Sequence, residues 1–171
     1  MKRVLNLVLA VLALSLLTES AWSKGPIVKI VIEGGQLTQP LEITDSDSLD
    51  KFTIWSGPGV GGWDMATTIP PAGTPKFIAD WTKGIATRPT CDSRLYQVRM
   101  FIGGREAPRD TYEVLYSVDA NSNTGYVYLP NGREDGFGLW NTYQIARGVE
   151  GNWFQSTREW DDFVRPLLGI D

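Results

Sequence analysis

The chain has 171 residues, a formal net charge of −4 and 42% hydrophobic residues, which is enough apolar material for one domain with a sizeable core. It contains no histidine and a single cysteine, Cys91. The composition therefore excludes histidine-based catalytic triads, the common histidine-bearing zinc and copper sites, and any intrachain disulfide. A mildly acidic chain also lacks the basic surface that binds nucleic acids or anionic membranes.

An export signal is predicted at the N-terminus. Two basic residues precede the apolar run Val4–Leu17, which is shorter than the roughly 20 apolar residues of a bilayer-spanning helix. The small-x-small triplet Ala21–Ser23 follows. We expect residues 1–23 to be a signal peptide cleaved after Ser23, and residues 24–171 to form a single globular domain with no membrane span. The alternative is an uncleaved anchor; with cleavage, the protein is secreted or periplasmic.

The first half of this domain is predicted to alternate between strands and turns. Ile27–Glu33 (IVKIVIE) is rich in β-branched residues and predicts a strand that the following Gly-Gly pair ends. Leu41–Thr44 predicts a second short strand, which Pro40 restricts to a sheet edge or a strand beginning. Thr44–Phe52 offers several capping side chains and predicts a helix of about two turns.

A long irregular segment follows. Ser56–Pro75 contains five glycines and four prolines, and loops of this length are often functional or disordered. The segment predicts either a binding loop or a surface loop that Trp63 attaches to the core. Its glycines lack the Lys-Ser/Thr pair of a phosphate-binding loop.

The second half carries the clearest strand patterns. Three segments alternate apolar and polar residues and predict an antiparallel meander with two hairpin loops: Arg94–Ile102, Tyr112–Asp119 and Gly125–Leu129. Other stretches predict a strand before the meander and one or two strands after it: Lys76–Trp81, Leu139–Ile145 and Asn152–Phe154.

A C-terminal helix is predicted to cover the sheet. Ser156 and Glu159 have the spacing of a capping box, and an apolar stripe follows at helical spacing: Trp160, Phe163, Val164, Leu167 and Leu168. Pro166 predicts a kink or an end near Val164. The fold class is therefore α+β and mainly β: an antiparallel meander covered by a C-terminal helix and a short helix in the N-terminal half. A small β-barrel or sandwich is the alternative.

Candidate binding residues come from aromatic and compact polar segments. Trp55 and Trp63 could form an exposed aromatic platform with Asp64 beside them. Glu150 and Asn152 lie in a compact Glu-Gly-Asn-Trp-Phe segment between two predicted elements, which could be a binding site or a turn that docks Trp153 under the C-terminal helix. No catalytic residue, metal ligand or cofactor is assigned.

Two chemical alternatives depend on oxygen-bearing side chains. Several carboxylates lie near a tryptophan in sequence, as a polysaccharide hydrolase with a carboxylate pair would require: Asp64, Asp80, Glu150 and Glu159. Asp119–Asn123 places oxygen ligands at alternate positions, as calcium loops do, but the same residues form ordinary hairpin turns, and the turn is the favoured interpretation.

The sequence carries no motif that fixes a reaction or a ligand. We expect an exported, non-enzymatic binding or interaction protein that uses exposed aromatic residues and the Gly/Pro-rich loop; its partner is a protein or a polysaccharide. The alternatives are a small carboxylate-dependent hydrolase of extracellular polysaccharide and a structural envelope component. Cys91 is free, buried or paired with another chain.

Overall fold

The computed structural model describes residues 26–54, 76–89, 94–103, 109–119, 122–130 and 149–170. In these ranges the chain forms one seven-stranded antiparallel sheet, with the strand order β2-β1-β4-β5-β6-β7-β3. The strands are β1 (Ile27–Gly34), β2 (Leu41–Ile43), β3 (Ile85–Ala86), β4 (Leu95–Ile102), β5 (Arg109–Val118), β6 (Gly125–Leu129) and β7 (Asn152–Gln155). The sheet is open, since β2 and β3 form opposite edges, so the predicted mainly β fold is confirmed and the closed barrel is not formed.

Within the described ranges, two helices and a 3-10 turn accompany the sheet: α1 (Ser46–Leu49), the turn Trp81–Lys83 and α2 (Arg158–Leu168). Helix α1 is one turn long, shorter than predicted, and Asp45 caps it by accepting a hydrogen bond from the Ser48 amide. None of the helices in the described ranges is long and apolar enough to cross a bilayer.

The β4–β5–β6 meander is confirmed with its predicted alternation. Every second side chain points to one face, where the central tyrosines Tyr96, Tyr112 and Tyr116 are at most 2% exposed. Helix α2 packs on this inner face through Trp160, whose ring lies edge-on to Tyr116 with 6.1 Å between ring centroids. The hydrophobic core therefore lies between this face and the helix. The opposite, outer face of the sheet is partly covered, since Val31 and Ser117 on it are 3% and 0% exposed.

The segment Lys76–Trp81 was predicted as a strand, and this prediction is wrong. Its apolar residues are buried, but its backbone pairs with neighbouring segments only through isolated β-bridges at Lys76 and Ala79. Asp80 interrupts the extended path, because its side chain accepts hydrogen bonds from the Thr82 amide and hydroxyl and thereby starts the 3-10 turn. Local capping thus overrides the β-rich composition.

The start and end of α2 also differ from the sequence prediction. The N-cap is Thr157, whose hydroxyl accepts from the Trp160 amide, so Ser156 and Glu159 do not form a capping box. The helix continues through Pro166 to Leu168. It ends at Gly169 (φ 66°), where the Ile170 amide donates to the Arg165 carbonyl. This glycine-dependent C-terminal motif fixes the end of the helix, so Pro166 does not.

Candidate functional site

The structure describes two of the five predicted binding residues. Trp55, Trp63 and Asp64 lie outside the described residues, as do the signal segment and Cys91. Glu150 and Asn152 lie in and directly after the turn that leads into β7. The compact segment thus combines a turn at Glu150 and Gly151 with the first residues of β7.

Asn152 holds this turn together. Its side-chain amide donates to the Val149 carbonyl at 3.2 Å and to the Glu150 carbonyl at 3.1 Å. The Gly151 amide donates to the Leu129 carbonyl at 2.8 Å and connects the turn to β6. Because both hydrogens of the Asn152 amide group are used, its role in the described structure is to position β7.

Glu150 lies near a deeply buried tyrosine. Burial raises the pKa of the Tyr112 hydroxyl, and the negative charge of Glu150 raises it further. Burial likewise raises the pKa of Tyr116, followed by the charge of Asp161. Both hydroxyls stay protonated in the folded protein at pH values that ionise an unfolded tyrosine.

We therefore expect the free energy of unfolding to fall as the pH rises above about 10, because the unfolded chain then binds fewer protons than the folded one. Each of the two tyrosines adds a slope of up to about 1.4 kcal/mol per pH unit. Urea denaturation at a series of alkaline pH values measures this decline. The Tyr112→Phe variant removes one titrating group, so its decline should be shallower; identical slopes would contradict the assignment.

The outer face of β6 and β7 carries a group of half-buried aromatic side chains. Tyr128 and Trp153 are cross-strand partners, with ring centroids 5.2 Å apart and planes inclined by 38°. Tyr126 lies two residues before Tyr128 on the same face. We call Tyr126, Tyr128 and Trp153 the outer aromatic cluster. Its rings are positioned by paired strands, so a ligand that binds there meets a preorganised surface.

The strand register shows what surrounds this cluster. One row across the sheet contains Leu95, Ser117, Tyr126 and Gln155. The adjacent row begins with Glu33 in β1, which pairs with Arg99, and continues through Gln97, Leu115, Tyr128, Trp153 and Ala86. From β4 to β3 the side chains of both rows are uncharged. Lys83 borders the cluster in the 3-10 turn, and its ammonium group donates to the Gln155 side-chain oxygen at 2.9 Å.

Sequence reasoning placed Trp153 under the C-terminal helix, and the structure corrects this. Phe154 is the fully buried residue of β7, so Trp153 must point to the opposite face. The residue at which β7 begins decides which of its side chains point to the inner face, and the turn at Gly151 sets where β7 begins. The alternation of Tyr126 and Tyr128 with buried Val127 was the signal that could have located the cluster.

A second polar group lies at the other side of the sheet, where α2 meets β5 and β6. The Asp161 carboxylate accepts hydrogen bonds from the Tyr116 hydroxyl at 2.9 Å and the Ser156 hydroxyl at 2.5 Å. It also accepts from the Gly125 amide at 3.3 Å and the Arg165 guanidinium at 2.9 Å. We call these five residues the Asp161 cluster.

The Asp161 cluster has the properties of a structural junction. Its central ion pair is largely buried, with 16% of the Asp161 and 15% of the Arg165 side chain exposed. Burial alone would lower the pKa of Arg165, but its contact with Tyr116 and the charge of Asp161 raise it. With four donors on one carboxylate, no oxygen lone pair is left to act as a base toward a substrate.

Arg165 extends this junction to the turn between β5 and β6. Its guanidinium donates to the side-chain oxygen of Asn123 at 3.2 Å and to its backbone carbonyl at 2.9 Å. The turn is closed by backbone bonds between Asp119 and both Asn123 and Thr124. The side-chain oxygens of Asp119 and Asn123 are thus used within or beside a hairpin turn, and the described ranges contain no cluster of three metal-binding side chains.

The other carboxylates proposed for hydrolysis have local partners. Asp80 caps the 3-10 turn. Glu159 pairs with Lys76 at 2.6 Å on the surface, and this bond lowers the pKa of Glu159. A low pKa keeps a carboxylate ionised, whereas a general acid needs a raised one. Glu159 therefore does not have the environment of a catalytic acid.

No protein-family model matches the chain, and comparisons with curated proteins and with solved structures also give no match.

Proposed function

We propose that the protein is an exported, non-enzymatic binding protein for an extracellular polysaccharide, and that the outer aromatic cluster is its ligand surface. The observation that carries the proposal is the cross-strand pair of Tyr128 and Trp153 on the face opposite the core. The N-terminal sequence pattern supports export, to the periplasm or the medium.

The chemistry of the surface matches that of a sugar chain. Aromatic faces pack against the C–H groups of a pyranose ring, while amides and phenol groups form hydrogen bonds with its hydroxyls. The cluster combines both, because Gln97 and Gln155 lie in the rows of Tyr128 and Tyr126. The surface therefore offers the contacts that a hydroxyl-rich, partly apolar ligand needs.

The size of the cluster favours sugar rings over a protein partner. The cluster lies on two neighbouring strands, which are about 5 Å apart, and two residues along a strand span about 7 Å. This area suits one or two sugar rings, whereas a stable protein interface buries about 800 Å² on each partner. The engagement of Asp80, Glu159 and Asp161 with neighbouring groups also favours binding without hydrolysis.

The proposal predicts that Trp153→Ala weakens binding of a polysaccharide by about tenfold or more, as expected for a central aromatic contact. Affinity electrophoresis and calorimetry on the mature protein, with laminarin, xylan, mannan, alginate and polygalacturonate as probes, measure this. Phe101→Ala is the matched control, because Phe101 lies on the same face but packs under Lys29.

Three outcomes would contradict the proposal. Failure of all five polymers to bind would exclude polysaccharide binding by this surface. Equal losses for Trp153→Ala and Phe101→Ala would place the ligand elsewhere. Release of reducing sugar ends from a bound polymer would show the alternative activity, a hydrolase. Melting temperatures of both variants establish that they are folded.

A further inference from the structure

We propose, resting on the function proposed above, that the ligand of the outer aromatic cluster is a neutral glycan and that its recognition does not depend on charge. The basis is the separation of charged and uncharged side chains on the outer face of the sheet.

The charged half comprises β1, β2 and β4 with the adjoining part of β5. Its described charged side chains are two cations, Lys29 and Arg99, and three carboxylates, Glu33, Glu42 and Glu113. They lie on one face because cross-strand partners share a face. The charges described in this half sum to −1 and would disfavour an acidic polymer that extended across the sheet.

The cations of this half are already occupied. Lys29 lies 3.8 Å from Glu42 and 4.5 Å from the ring centroid of Phe101. Arg99 forms an ion pair with Glu33. A ligand carboxylate would therefore have to displace an existing partner of either cation. This displacement removes most of the binding free energy that a new ion pair would contribute.

The uncharged half surrounds the outer aromatic cluster. The two rows that cross β4, β5, β6 and β7 contain only aromatic, aliphatic, amide and hydroxyl side chains. Leu95, which is 40% exposed, is at the end of the Tyr126 row. The bordering cation Lys83 donates to the neutral oxygen of Gln155, which leaves the amide nitrogen of Gln155 to donate to a ligand hydroxyl. Charge complementarity thus favours a ligand without charge.

The test compares neutral and acidic glycans on the full mature chain. We expect laminarin, xylan or mannan to bind with an affinity that changes by less than about twofold between low and high salt, since no ion pair is formed. Alginate and polygalacturonate, which carry a carboxylate on each sugar, should bind at least about tenfold more weakly. Calorimetry at two NaCl concentrations gives both quantities.

Lys83→Gln is the variant that separates the two ligand classes. It removes the bordering charge and keeps a hydrogen-bond donor, so binding of the neutral glycan should change by less than about twofold. If an acidic glycan binds best, weakens with salt and is lost in Lys83→Gln, the inference of a neutral ligand is wrong while polysaccharide binding stands. If neither class binds, the proposed function itself is wrong.

Discussion

We expect Asp161→Ala to lower the free energy of unfolding by about 3 kcal/mol, the size typical of removing one partner from a largely buried ion pair. The carboxylate accepts from the Tyr116 and Ser156 hydroxyls, and from the Gly125 amide and Arg165. Alanine leaves all four donors without this acceptor at a site that water barely reaches. Urea denaturation measured through tryptophan fluorescence gives the change.

Asp162→Ala is the matched control for this prediction. Asp162 is the next residue of the same helix and forms an i,i+4 pair with Arg158 at 3.4 Å, with side chains 71% and 89% exposed. Exposed pairs of this kind contribute at most about 0.5 kcal/mol. Similar losses in the two variants would show that Asp161 acts only through helix propensity and would contradict a structural role for the Asp161 cluster.

The sequence predicted those elements whose pattern and boundary signals agree. The three segments of the meander alternate over five or more residues, and their apolar sets match the buried face. Ile27–Glu33 forms the predicted strand, with Val31 buried in addition to the inner-face residues Ile30 and Ile32. The helical stripe likewise places Trp160, Val164 and Leu168 in the core. Alternation over this length defines both the element and its buried side.

The errors arose where a single polar contact decides between local alternatives. Thr157 rather than Ser156 caps the last helix, because the Ser156 hydroxyl is bonded to Asp161. Asp80 starts a 3-10 turn inside a stretch of β-forming residues. Which residue caps a helix or starts a turn depends on the hydrogen-bond partners that lie near it in space. The spacing of residues in the sequence does not reveal those partners.

The candidate site was missed for a related reason. Trp153 lies in a strand of only four residues, which is too short for periodicity to show which face a side chain occupies. Its face follows from pairing with β6, where Tyr128 is the partner of Trp153 and Val127 that of Phe154. The aromatic composition was visible in the sequence, but its assembly into one surface required the strand register.

Gly125→Ala should be nearly as destabilising as loss of the carboxylate itself. A methyl group at Gly125 would lie 2.1 Å from the Asp161 carboxylate oxygen and 2.2 Å from the Ser156 hydroxyl. Four hydrogen bonds fix that carboxylate, so it cannot move without breaking some of them, and we expect a loss of about 2 to 3 kcal/mol. By contrast, Gly169→Ala meets no atom within 4 Å and strains only a left-handed backbone at φ 66° and ψ 34°, which costs about 1 kcal/mol.

A double-mutant cycle tests whether the glycine is required because of the carboxylate. Asp161→Ala removes the atom that the new methyl group would approach most closely, so Gly125→Ala should cost at least about 1 kcal/mol less in that background. Urea denaturation of the two single variants and the double variant gives this coupling energy. Strictly additive losses would mean that the glycine and the carboxylate act independently. A positive coupling would show that the close approach of helix α2 to β6 is the reason that position 125 lacks a side chain.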